Sequence, residues 1–135
     1  MTSRDLKVIE EEVQYKLTND SEGNPLEGGR MYKMHLPANI PAREFWSVIV
    51  YDSMTRLVVQ TDQLWPSVYS SCKNLVVNPD GSVDVWFGPG ATADKRNNWI
   101  QTLPGKGWFM ILRLYNPSES WFDKTWQPGG IEPLK

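Results

Sequence analysis

Residues 98–126, NWIQTLPGKGWFMILRLYNPSESWFDKTW, set one long apolar segment between two tryptophan-bearing flanks. Within it, Trp108 to Tyr115 carries a single charge, Arg113, and lies between the turn formers Pro104-Gly105-Lys106-Gly107 and Asn116-Pro117, so it reads as a strand. Asn98 to Leu103 reads as the strand before it, and Ser118 as the cap of a single helical turn reaching Asp123. If the Pro104–Gly107 turn joins two strands in simple register, Asn98 falls opposite Arg113 and Ile100 opposite Ile111.

The same pattern extends to the rest of the chain. Val13 to Thr18 alternates apolar and polar residues, and the turn-rich stretch Asn19 to Gly29 leads into a second extended segment, Met31 to Leu36. Phe45 to Asp52 is a strong strand of aromatic and β-branched residues, and Ser53 to Arg56 would turn it into Leu57 to Gln60. Thr61 to Cys72 has no period and reads as a long connection containing Trp65-Pro66. Leu75 to Val77 and Ser82 to Phe87 flank Asn78-Pro79-Asp80-Gly81 and read as a hairpin. Short strands separated by turns, with almost no helical period, predict an all-β fold: an antiparallel β-sandwich, jelly-roll-like, with a short C-terminal helical turn. Residues 1–23 read as a leader with the first strand, and 24–135 as the sandwich domain.

Two strands lack the wet face that a two-layer sandwich leaves to each of its strands. Trp108, Met110, Leu112 and Leu114 form one side of the central strand; Phe109, Ile111, Arg113 and Tyr115 form the other. Likewise Trp46, Val48 and Val50 oppose Phe45, Ile49 and Tyr51. An uncovered apolar face of about 400 Å² forgoes roughly 10 kcal/mol at about 25 cal/mol per Å², comparable with the net stability of a domain. Cover is therefore expected, either from the chain's own tail through Trp121, Phe122 and Trp126 or from a neighbouring domain, a second subunit or a ligand. Phe109, Ile111, Phe45, Ile49 and Tyr51 are the expected interface.

The 135 residues suit one domain, and 14 basic against 16 acidic side chains leave a net charge of −2 with no basic stripe for nucleic acid. The only charge run, Glu10-Glu11-Glu12, reads as a solvated element end. One cysteine, Cys72, permits no internal disulfide, and no apolar run approaches a membrane span. No signal-peptide pattern opens the chain, so a soluble, cytoplasmic protein is expected.

As an ordered series, several motifs resemble the bacterial family called domain of unknown function 1214. They include Gln60-Thr61-Asp62, Asn78-Pro79-Asp80-Gly81-Ser82-Val83-Asp84, Phe87-Gly88-Pro89, Asn98-Trp99-Ile100-Gln101-Thr102, Pro104-Gly105-Lys106-Gly107-Trp108 and Trp121-Phe122-Asp123-Lys124-Thr125-Trp126. The resemblance runs from about Asn24 to Lys135. It implies a β-sandwich that forms the C-terminal part of a longer protein, after a partner called domain of unknown function 1254, and it supplies no catalytic residues. The chain departs from the family pattern at Gln127 and Gly130, where a basic and an acidic residue are usual.

Little in the sequence points to chemistry. One histidine and one cysteine cannot build a zinc tetrad, and His35 lies in a strand without a triad pattern. Asn78, Asp80, Ser82 and Asp84 alternate like a calcium loop but lack its distal glutamate. Asp52 and Asp62 are the nearest pair of carboxylates to nominate for glycosidase-type work, and Trp65 or Trp99 for stacking on sugars. No metal or cofactor is expected. The reading is a non-catalytic binding or assembly module that packs on a partner domain of the 1254 type or in a homo-oligomer. The alternative is a hydrolase-like enzyme, or a carbohydrate or small-anion binder, with a ligand site of Asn98, Arg113 and Tyr115. Arg113 is otherwise expected to pair with Asp123 or Glu119.

Overall fold

Alternation and turn chemistry together set the strands. The computed structural model describes residues 12–59, 67–71, 75–90 and 98–134, the side chain of Glu44 apart. Among these residues the strands are β1 (Glu12–Leu17), β2 (Tyr32–Leu36), β3 (Ala42–Asp52), β4 (Ser67–Tyr69), β5 (Val83–Gly88), β6 (Trp99–Gln101), β7 (Trp108–Pro117) and β8 (Ile131–Pro133), with one helical turn, α1 (Glu119–Phe122). They form two four-stranded sheets, ordered β1-β7-β3-β4 and β6-β5-β2-β8. The fold is an all-β sandwich in which one neighbouring pair, β5 and β6, runs parallel.

The core lies between the sheets. From the first sheet, Val48, Val50, Met110, Leu112 and Leu114 are fully buried; from the second, Tyr32, Met34, Leu36, Val85, Phe87, Ile100 and Ile131 meet them. Trp108 stacks on Phe87 with ring centroids 4.9 Å apart and meets Tyr32 edge-on at 5.5 Å. Offset and edge contacts of this kind add specificity to the area they bury. In the second sheet the alternation is clean, with Lys33, His35, Asp84 and Trp86 turned outward between buried neighbours.

Several expectations are corrected. Thr61 to Cys72 is not all connection, because Ser67–Tyr69 adds β4 to the edge of β3; three residues are too few to show a period. Leu57 to Gln60 does not form a strand among its described residues, Leu57 to Val59: a lone bridge joins Tyr51 to Val58, and Gln60 lies outside the described residues. The Asn78–Gly81 turn does form, closed by Asn78 N–H to Ser82 O at 2.8 Å with Gly81 at φ +91°. Leu75 to Val77 is nevertheless not the partner strand of a hairpin, since β5 pairs with β2 and β6. Trp65, Asp62 and Cys72 lie outside the described residues.

The connection from β6 to β7 is not a hairpin either. Pro104–Gly107 carries the chain across to the other sheet, so β7 pairs with β1 and β3 while β6 stays with β5. Gly28 makes the crossing possible. Its N–H donates to Lys106 O at 2.9 Å and its carbonyl accepts from Thr102 Oγ1 at 2.7 Å, and a Cβ there would stand 1.8 Å from Leu103 O.

Candidate functional site

Because β7 lies between β1 and β3, the outer face of the first sheet is built in rows. Glu12, Tyr115 and Phe45 form one; Gln14, Arg113, Ser47 and Tyr69 the next; Lys16, Ile111, Ile49 and Ser67 the third; Phe109 and Tyr51 the last. The second side of β3 and β7 is thus largely aromatic and aliphatic, as its sequence implies, with the Arg113–Ser47 row crossing between its Phe45–Tyr115 and Ile49–Ile111 rows. Phe45 packs on Tyr115 at 5.3 Å and on Tyr69 at 5.9 Å. Phe45, Ile49, Tyr51, Ile111 and Tyr115 are half-buried.

Phe109 differs from the other expected interface residues. Tyr51 stacks on it with centroids 5.3 Å apart, Lys16 Nζ lies 4.5 Å above its ring and the Arg56 guanidinium 5.7 Å away, leaving it 6% exposed. Its cover comes from within the chain. Cations over an aromatic face are attracted by its negative quadrupole, so this corner is capped electrostatically as well as sterically.

The tail does not cover this face. Trp121 meets Tyr15 edge-on at 5.8 Å, and Tyr15 stands opposite Leu112 on the inner side of the sheet. Trp126 is buried in the core cluster with its indole N–H donating to Pro37 O at 3.0 Å. The tail therefore closes the sandwich at its β1 edge. Ser118 occupies the N-cap of α1 but makes no side-chain capping bond; its own N–H donates to Pro41 O at 3.0 Å.

Arg113 and Asn98 are separated, which corrects their expected pairing across a hairpin. Arg113 lies beside Gln14 and Ser47, donates from Nη2 to the Tyr51 hydroxyl at 3.1 Å and has Glu12 Oε2 3.6 Å from Nε. Its partners are Glu12 and Tyr51 in place of Asp123 or Glu119. Nε itself is buried without a hydrogen bond. Tyr115 stays on the same face, one row away. Asn98 is in the other layer, 5% exposed, where Oδ1 accepts from Val76 N–H at 3.0 Å and Nδ2 donates to the carbonyls of Val76 at 2.8 Å and Asp84 at 2.9 Å. Its amide imitates a strand partner for Val76.

The polar cluster that sequence reasoning missed lies on the outer face of the second sheet. His35 and Asp84 are cross-strand neighbours, and His35 Nδ1 donates to Asp84 Oδ1 at 2.7 Å. Asn78 Nδ2 donates to the other carboxylate oxygen at 3.2 Å, and Lys33 Nζ lies 3.9 Å away. Partial burial pushes the Asp84 carboxyl up, but the His35 and Asn78 hydrogen bonds and the nearby cations outweigh it and hold the group below its ordinary value. Both carboxylate oxygens are thus engaged, and Ser82 Oγ donates to Asp80 Oδ1 at 2.6 Å. A histidine so oriented can relay a proton, yet no described hydroxyl is seen against its far nitrogen. Asp52 is also turned inward on its own loop, accepting from Met54 N–H at 2.8 Å and Thr55 N–H at 3.2 Å; these bonds lower its pKa.

A polar alternation in β2 and β5 was visible, but only the sheet order puts His35 against Asp84. Equally, Glu12 belongs to the polar side of an alternating strand, and the β1-β7 pairing is what aims it at Arg113.

A family model described as a protein of unknown function, DUF1214, matches residues 11–119. The chain belongs to this family. The DUF1214 chain is similar to the solved VPA0106 protein of Vibrio parahaemolyticus, at 25% identity and a TM-score of 0.78 over 93% of its own length. It also shares its fold with an uncharacterised protein of Burkholderia cenocepacia, at 16% identity and a TM-score of 0.54 over 90%. It spans about a third of those solved chains, 31% and 34% respectively. No curated protein matches it. Among the described residues no helix is long and apolar enough to cross a membrane.

Proposed function

We propose that this DUF1214 domain is a non-catalytic assembly module that docks another folded body on the outer face of its β1-β7-β3-β4 sheet. The observation that carries the reading is the patch of Phe45, Ile49, Tyr51, Ile111 and Tyr115, which is half-buried while the tail is spent at the β1 edge. Aromatic residues beside a single arginine are the composition that protein interfaces favour at their centres. Where the domain is part of a longer chain, the proposed body is a companion domain, of the kind called domain of unknown function 1254 that the family resemblance implies. The coverage of only about a third of each solved relative supports such a companion. For the 135 residues in solution, the proposed body is a second copy.

Sedimentation equilibrium of the chain and of Ile111→Asp tests the reading. Twice the 15.5 kDa chain mass is expected for the parent and 15.5 kDa for the variant. A parent that stays at the single mass at every concentration would overturn self-docking through this face.

A further inference from the structure

Beside the β1 edge, the residues that close the sandwich leave a concavity of about 530 Å³, open to one side. That is within the size of small-molecule sites, which run from roughly 300 to 1,000 Å³. Its walls are Tyr15, Trp121, Trp126 and Phe122, with Lys124 and Gln127 among the remaining lining residues. The rings make a rigid arrangement. Tyr15 and Trp121 are at 78° with centroids 5.8 Å apart, Trp121 and Trp126 at 44° and 6.3 Å, and Trp126 is pinned by its hydrogen bond to Pro37 O.

The charge at this site is one-sided. Lys124 is exposed and forms no ion pair among the described residues. The adjacent Asp123 makes no ion pair with Lys124; its Oδ1 accepts from Thr125 N–H at 3.0 Å and Thr125 Oγ1 at 2.7 Å. Among the described residues no acid lines the concavity. Lys124 also stands at φ +63°, in the left-handed region where a glycine or asparagine would sit with less strain. Neither the Tyr15 hydroxyl nor the Trp121 indole N–H makes a hydrogen bond among the described residues, and neither is among the buried unpartnered atoms. Both remain donors at the wall.

We propose that the Tyr15–Trp121–Trp126 concavity binds a small aromatic carboxylate, its ring against the indoles and its carboxylate at Lys124. A single ammonium, with no guanidinium fork, suits one negative charge better than a phosphate, which draws on several donors. The site is independent of the docking face, since Tyr15 and Ile111 project to opposite sides of the sheet.

The test uses the whole chain with nitrogen-15-labelled tryptophans, titrated with phenylacetate, its neutral analogue phenylacetamide, and acetate. Phenylacetate is expected to shift the Trp121 indole resonance, assigned with Trp121→Phe, in a saturable way. Phenylacetamide should bind roughly tenfold more weakly, the worth of one charge-assisted hydrogen bond, and acetate should not saturate. Lys124→Gln, at an exposed position, should weaken phenylacetate by the same factor and leave phenylacetamide unchanged. Absence of a saturable shift with phenylacetate, or equal binding of acid and amide to the parent chain, would overturn the proposal. So would a Trp121 shift that tracks protein concentration without any probe, because another chain would then fill the concavity.

Discussion

Asn98→Ala removes three hydrogen bonds with one truncation: the donation from Val76 N–H and the two donations from Nδ2 to Val76 O and Asp84 O. Val76 is 48% exposed, so water can replace the amide there, and each of its two bonds is worth about 0.5 kcal/mol. The Asp84 carbonyl is on a central strand of the second sheet, and its bond counts for about 1 kcal/mol or more. The sum is about 2 kcal/mol, and for a domain of this size it lowers the melting temperature by about 8 °C. Asn98→Asp separates the donors from the acceptor. It sets a carboxylate against two carbonyls, so it is expected to be worse than alanine at neutral pH. Burial and the facing carbonyls raise the introduced acid's folded pKa above its unfolded value, so protonation favours the fold and the variant recovers relative to Asn98→Ala as pH falls through that folded value. Calorimetry on the three proteins measures both effects. A melting temperature for Asn98→Ala within about 2 °C of the parent would refute the claim that this amide stands in for a strand.

Three further outcomes are expected. Asp84→Asn should destabilise the chain at neutral pH. Because the Asp84 carboxyl is held below its ordinary value of 3.8, its contribution is present above that value and fades as pH falls through the folded pKa; equal urea midpoints for parent and variant at pH 7 would contradict this. Arg113→Met keeps the apolar stem and removes a charge whose Nε has no hydrogen bond, so stability should change by less than about 1 kcal/mol in urea titrations, and a larger loss would mean that the Glu12 and Tyr51 contacts are a structural clamp. Gly28→Ala drives a methyl into Leu103 O and should cost about 3 kcal/mol or more, measurable as a fall in the denaturation midpoint; a neutral result would show that the β6–β7 crossing does not approach Gly28 so closely.

The sandwich was legible because its information is local. Tyr32, Met34 and Leu36 alternate with Lys33 and His35, and the doubly apolar character of β3 and β7 can be counted from the residues alone. Pairing was not local. Pro104-Gly105-Lys106-Gly107 has the composition of a hairpin turn, but it crosses between sheets, with Gly28 allowing the close approach, and with it Asn98 leaves Arg113. The Asn78–Gly81 turn formed as its residues dictate while its expected partner strand was replaced by one side-chain amide. In the candidate sites, Lys124 and the three aromatic walls were all visible as residues. Their convergence depends on the tail turning to the inner side of β1, a choice between two apolar faces that composition does not make.

Concentration-dependent hydroxyl-radical footprinting tests most directly whether the outer face of the first sheet is a docking surface. Modification of Phe45, Tyr51 and Tyr115 is expected to fall as the protein is concentrated, while Phe122, half-exposed and outside that face, keeps a constant rate. Constant rates at all four residues across the whole range would contradict the account.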